Sequence, residues 1–122
     1  NDETVLDTRT NLMWAAKDNG SDINRDNAQS YCENYRGGGY IDWRMPTQNE
    51  LADLYEAGKT YKLDDGYDVH LTETIRLSRG FVLASEIRGS DVAHFLFVNG
   101  RRGWSRWKWD LERRALPVRS GK

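Results

Sequence analysis

The run Arg101-Arg102-Gly103-Trp104-Ser105-Arg106-Trp107-Lys108-Trp109 places four cations and three indoles within nine residues. These side-chain types combine in one kind of chemistry. An indole stacks on the C–H face of a sugar or on a base, while guanidinium and ammonium groups hold an anionic group, the guanidinium bidentately. If the stretch from Trp104 to Trp109 is extended, alternation puts Trp104, Arg106 and Lys108 on one face and Trp107 and Trp109 on the other. One face then packs and the other can read a ligand. Arg101, Arg102, Trp104, Arg106 and Lys108 are therefore the candidate ligand-binding residues, and a sulfated or uronate sugar fits their chemistry. Phosphate or a single nucleic-acid strand would suit the same side chains, but a pI of about 6.1 speaks against a nucleic-acid partner. The competing reading is that the tryptophans only pack in the core or at a sheet edge.

The net charge of -1 conceals an asymmetry. Residues 1–61 carry 11 acidic and 6 basic side chains, whereas residues 62–122 carry 8 and 12. The last 22 hold eight cations against Asp110 and Glu112. A local positive field of this kind draws anions and is screened by salt. A solvated basic face without a partner is the plain alternative.

For catalysis the sequence offers little. Ser85, Glu86, His94 and Asp110 supply the residue types of a hydrolytic triad, but no Gly-x-Ser-x-Gly turn presents a nucleophile. Carboxylates abound, yet none lies in an apolar run that would raise its pKa for acid catalysis. Cys32 is the sole cysteine, so an internal disulfide and a four-cysteine zinc site are both excluded. It falls on the apolar face of a helix with no basic residue beside it, which favours packing over nucleophilic chemistry. Asp64-Asp65-Gly66-Tyr67-Asp68 offers three carboxylates on a glycine turn, hard oxygen ligands of the kind calcium takes, but without EF-hand spacing. His70 and His94 are the only imidazoles, and no acidic cluster is tied to both by ligand-like spacing, so a packed His94 is expected. Asn19-Gly20-Ser21 matches a glycosylation sequon and reads better as a turn. The expectation is a non-enzyme with no cofactor and no metal.

The elements that carry these residues belong to one domain spanning 1–122, since a chain of 122 residues builds a single core and not two. Fourteen aromatic residues and a small net charge favour folding over disorder. No apolar run approaches the ~20 residues needed to cross a bilayer, so no membrane insertion is expected. Val5 to Asp7 and Leu12 to Ala15 flank the polar Thr8-Arg9-Thr10-Asn11, which predicts a hairpin. Ala28, Tyr31, Cys32 and Tyr35 have helical spacing behind a cap at Asn24, with Gly37 to Gly39 as the stop. Tyr40 to Arg44 reads as a connection anchored by Trp43. Thr47 followed by Glu50 is a capping box opening a second helix, with Leu51, Leu54 and Tyr55 as its apolar face and Gly58 as its end. Lys59 to His70 reads as a polar loop. Phe81 to Ser85, Val92 to Val98 and Arg114 to Arg119 are β-prone, with turns at Arg88-Gly89-Ser90 and Asn99-Gly100. Both faces of Val92 to Val98 are largely apolar, which predicts a central strand covered on both sides.

Leu12-Met13-Trp14-Ala15 after a short strand, Ala28-Gln29-Ser30-Tyr31-Cys32 on a helix, and Gly39-Tyr40-Ile41-Asp42-Trp43-Arg44-Met45-Pro46-Thr47 running into Glu50-Leu51 together resemble the Lcl C-terminal domain family. Ala84-Ser85-Glu86 looks like the family's Trp-Ser-Ser/Glu segment with its Trp replaced, and Arg114 to Arg119 looks like its closing strand. The resemblance implies a bacterial protein, extracellular, on the cell surface or in the periplasm. It also implies an α+β, C-type-lectin-like fold: two helices packed on a twisted, mainly antiparallel sheet, with the first and last strands meeting. The family takes its name from a collagen-like adhesin whose last domain binds host polysaccharide. In many members the helix cysteine pairs with one in the closing strand; Pro117 stands near that place here. Residue chemistry gives the matched central segment a scaffold role, with Trp43 filling core, Arg44 pairing with a carboxylate and Pro46-Thr47 setting the helix start.

The functional expectation is a non-catalytic surface or secreted binding module that contacts an anionic glycan. The alternative is a protein-interaction or assembly module that forms a homo-oligomer or docks on a larger cell-surface structure.

Overall fold

The computed structural model describes residues 4–108 and 112–121. The chain opens with the expected hairpin, β1 (Thr4–Asp7) paired antiparallel with β2 (Leu12–Ala15). Its turn closes through Asn11, whose φ of 57° lies in the left-handed region that Asn tolerates better than most side-chained residues. The last strand, β9 (Val118–Ser120), adds to the other edge of β2, with Trp14 opposite Val118 and both buried. The two ends of the domain therefore share one sheet, ordered β1-β2-β9.

Helix α1 (Arg25–Asn34) begins where Asn24 accepts a hydrogen bond from the Asn27 amide, and it buries Ala28 and Cys32. Helix α2 (Gln48–Leu54) carries both bonds of the capping box: Glu50 N–H donates to Thr47 Oγ1 and Thr47 N–H donates to Glu50 Oε1. It ends at Leu54, four residues before the glycine that the sequence suggests as its stop. The reason is tertiary. Tyr55 turns extended and packs its ring edge-on against Phe95 and His70, while the Glu56 amide is taken by the His70 carbonyl.

The stretch read as a polar loop holds a small ribbon, β3 (Tyr61–Lys62) against β4 (Asp68–Val69). Val69 of β4 and Leu63, which follows β3, are buried in the main core, and that anchoring holds the short ribbon in place.

A four-stranded sheet forms the second half, in the order β7 (Arg102–Arg106), β6 (Asp91–Leu96), β5 (Phe81–Arg88), β8 (Arg113–Arg114). The predicted glycine turns stand at Gly89 and Gly100, with φ of 61° and 76°. Strand β8 runs parallel to β5, so the sheet is mixed. Arg114 to Arg119 is not one strand. Arg113–Arg114 belongs to this sheet and Val118–Ser120 to the terminal one, with Ala115, Leu116 and Pro117 crossing between them fully buried. Pro117 has no N–H for a ladder, and its carbonyl accepts from Ala15 instead.

Helix α2 packs on one face of the sheet, where Leu51 and Leu54 meet Val82, Ala84, Ala93, Phe95 and Phe97 in the main core. Helix α1 covers the opposite face, where Ala28 and Cys32 meet Leu83 and Val92. The double covering expected for residues 92–98 is thus present. Each of the buried phenylalanines contributes about 1.5–3 kcal/mol of apolar burial. The architecture is α+β. No helix among the described residues is long and apolar enough to cross a membrane.

Candidate functional site

Among the described residues, strand β7 is one of the two edges of the mixed sheet, β8 being the other. Alternation sends Arg102, Trp104 and Arg106 to one face and Gly103 and Ser105 to the other. The side of Gly103 and Ser105 is the face of Val92, which α1 covers, and it is closely packed. Ser105 lies buried opposite Val92, and its hydroxyl shares a hydrogen bond with His94 Nδ1 at 2.6 Å. Gly103 lies opposite His94, and a Cβ there would fall 2.5 Å from the imidazole Nε2. Arg102, Trp104 and Arg106 share the other face with Phe95, Ala93 and Asp91, the face on which α2 packs, and they stand at its margin because β7 is the edge strand.

The extended run stops at Arg106. Its partner on β6 is Asp91, the first residue of that strand, so no ladder exists beyond it. The Trp107 amide donates to the Ser90 carbonyl and the chain turns at Trp107 and Lys108. The alternation expected through Lys108 therefore fails; Trp109 and Asp110 lie outside the described residues.

The five candidates are sorted along the strand. Arg101 is exposed in the β6–β7 turn, its amide donating to Asn99 Oδ1. Arg102 reaches toward α2 and donates from Nη1 to Asn49 Oδ1 at 2.6 Å. Trp104 is half-buried against the main core, with the Arg88 guanidinium 4.2 Å from its ring centroid. Arg106 and Lys108 line a pocket of about 740 Å³ together with Ser90 and Trp107. Arg101 and Arg102 thus sit at one end and Arg106 and Lys108 at the other; the strand carries Arg102 and Arg106 about 14 Å apart.

The indole of Trp107 stands at the centre of the pocket end, held from α1. Its Nε1 donates to Asp26 Oδ1 at 2.8 Å, and the Arg25 guanidinium lies 5.1 Å from its ring centroid. Strand alternation alone assigns Trp107 to the face opposite Arg106 and passes over Arg88 and Ser90. A signal for the latter two is available, since a two-residue Gly89-Ser90 turn brings Arg88, Asp91 and Arg106 side by side across β5, β6 and β7.

Among the described residues, Arg88, Arg101, Arg102, Arg106 and Lys108 form no ion pair, whereas Arg44, Arg114 and Arg119 pair with Glu50, Asp22 and Asp42. Among the described residues the cations around β7 thus meet neutral partners, Arg102 on Asn49 and Arg88 over Trp104, and no carboxylate.

The residue types of the hydrolytic triad go to different partners. His94 bonds Ser105 rather than Ser85, and burial, helped by the nearby Arg113 charge, pulls its pKa down to about 4. Glu86 accepts the Gln48 amide in the first turn of α2. Burial pushes the Cys32 thiol well above its ordinary pKa. In the 64–68 turn, Asp65 accepts from the Tyr67 amide and faces Arg79, while Asp68 pairs with Lys62. No group of three His, Cys, Asp or Glu side chains among the described residues is gathered to hold a metal. Asn19 acts as a turn residue, donating to the Ser21 carbonyl and accepting from the Ala115 amide.

The central motif is scaffold. Trp43 is buried edge-on against Tyr35 and donates to the Gly37 carbonyl; Arg44 grips Glu50 bidentately, both bonds at 2.8 Å. The family model described as the Lcl C-terminal domain matches residues 3–119. The chain belongs to the Lcl C-terminal domain family. No curated protein and no solved structure matches it. In this Lcl C-terminal domain the motif around Trp43 sets the start of α2, and the cations without an ion pair among the described residues lie elsewhere, on and beside β7.

Proposed function

We propose that this Lcl C-terminal domain is a non-catalytic binding module of a bacterial surface or secreted protein, with a C-type-lectin-like architecture, that contacts an anionic glycan through β7 and the turn after it. The observation that carries the reading is the set of cations Arg88, Arg102, Arg106 and Lys108, unpaired among the described residues, beside the half-exposed indoles of Trp104 and Trp107. A sulfate or uronate group would be taken by the guanidiniums while a ring C–H face rests on an indole. The lectin-like architecture is supported by the first and last strands lying in one sheet, on either side of β2, and by two helices packed on the mixed sheet. The test is an NMR titration of the labelled domain with a sulfated oligosaccharide at low and high salt. Saturable shifts at the Trp104 and Trp107 indoles that weaken with salt are expected. No shift at low salt would refute the reading.

A second reading, a protein-interaction or homo-oligomeric assembly module, draws on a different observation: Ile41 is 78% exposed and Leu6 46%. Sedimentation across a concentration series tests it, and a monomer at all concentrations that binds no surface protein would count against it.

A further inference from the structure

Arg25, the first residue of α1, is only 9% exposed. Taking an unpaired charge out of water costs several kcal/mol, so a buried guanidinium ordinarily faces a carboxylate. The other buried arginines among the described residues follow that rule, Arg114 against Asp22 at 2.7 Å and Arg119 against Asp42 at 2.5 Å. Arg25 breaks it. No carboxylate among the described residues lies within ion-pair distance of it. Its Nη1 donates to Gln29 Oε1, its Nη2 reaches the Ser85 carbonyl at a long 3.4 Å, and its Nε has no partner. The charge rests on two neutral oxygens and the π face of Trp107.

What remains exposed of Arg25 opens on a pocket of about 390 Å³ that is also lined by Gln29, Glu33, Arg44, Met45, Thr47 and Ser85. Two guanidiniums therefore face one carboxylate there. Glu33 is engaged with Gln29 Nε2, and the Arg44 charge is held by Glu50. The break in the β5–β6 register between Leu83 and Ile87 positions this wall: the Ser85 amide turns to the Pro46 carbonyl, and the Ser85 carbonyl meets Arg25.

We propose that this pocket is an anion subsite distinct from the β7 surface, taking a single oxyanion group with Arg25 as its charge-bearing residue. A free inorganic ion and a sulfate ester of a sugar share that chemistry. The subsite does not rest on the glycan reading of β7, and the two can fail separately.

The labelled protein, titrated with sodium sulfate against sodium chloride at matched ionic strength and then with a sulfated disaccharide, decides it. Saturable shifts of the Arg25 Nε–H and of the Ser85 and Thr47 amides with sulfate alone assign the pocket to a free ion, and with the disaccharide alone to an esterified group. Either outcome supports the subsite, as does a shift with both. Arg25→Gln should weaken that binding roughly tenfold or more, while Lys59→Gln, an exposed change outside both surfaces, leaves it unchanged. Shifts with neither probe, or shifts confined to residues 101–108, overturn the subsite. If Arg25→Gln fails to fold, the titration of the unaltered protein still separates these outcomes.

Discussion

Trp107 Nε1 donates to Asp26 Oδ1 at 2.8 Å, joining the turn after β7 to the first turn of α1 across 81 residues of chain. That bond keeps an indole beside Arg106 and Lys108 where neither strand pairing nor helix packing would put it. The acceptor, Asp26, is the acidic residue of the first turn of α1, where the helix dipole favours a carboxylate.

Asp26→Ala removes both effects. We expect a loss of about 0.5–1.5 kcal/mol in urea denaturation, because the bond is exposed and a typical hydrogen bond is worth about 1 kcal/mol. The diagnostic readout is an increase in Trp107 side-chain mobility by indole NMR relaxation. An indole as rigid as in the parent protein would show that the bond does not position it.

Arg101, Arg102, Arg106 and Lys108, all replaced by Ala, should abolish binding of a sulfated oligosaccharide. Singly, Arg106→Ala and Lys108→Ala should cost more than Arg101→Ala, since the first two line the pocket and Arg101 lies in the far turn. Calorimetric titration at two salt concentrations checks the ranking. Unchanged binding by the fourfold variant sinks the glycan assignment.

His94 gives stability a pH dependence whose sign follows from its pKa of about 4, below the ordinary 6.5. Between these values the unfolded chain binds the proton more readily than the folded one, so stability rises with pH through the window. His94's contribution is complete above pH 6.5 and is lost as pH falls toward 4. Urea midpoints at pH 7 and pH 5 should therefore differ more for the parent protein than for His94→Gln. Equal differences would mean that His94 titrates normally.

Gly103→Ala should destabilise by about 1–3 kcal/mol, the usual range for overpacking a filled site, because the added methyl would sit 2.5 Å from His94 Nε2. The cost should vanish in a His94→Ala background, a non-additivity that a double-mutant cycle in urea detects. Additive effects would place the strain elsewhere.

Glu50→Gln is expected to cost about 1 kcal/mol, as loss of a helix cap does. Partial burial raises the Glu50 pKa, but the Arg44 pair and the Thr47 bonds outweigh it and hold the carboxyl below its usual 4.5. Its stabilisation is present above pH 4.5 and fades as pH falls below that value. The variant should therefore approach the parent in stability under acid, as thermal melts from pH 5 downward would show.

The local devices of this fold can all be read from the chain, because each depends on residues within a few positions. Asn24 and Thr47 begin helices through bonds to amides three residues on, and Gly89 and Gly100 turn hairpins through positive φ. The binary pattern of residues 92–98 likewise announces a strand packed on both sides. Tertiary structure alone decided where the elements yield to distant partners. Tyr55 leaves α2 early to pack against Phe95, and Ala115 to Pro117 divide a promising strand between two sheets. The candidate site divides the same way. Alternation places Arg102, Trp104 and Arg106 together on one face of β7, but β6 begins only at Asp91, and that long-range fact ends the strand and hands Trp107 to Asp26. Arg25 is invisible in the sequence for the same reason: an unpaired charge is defined by what the folded chain fails to bring near it, and no spacing along the sequence encodes that.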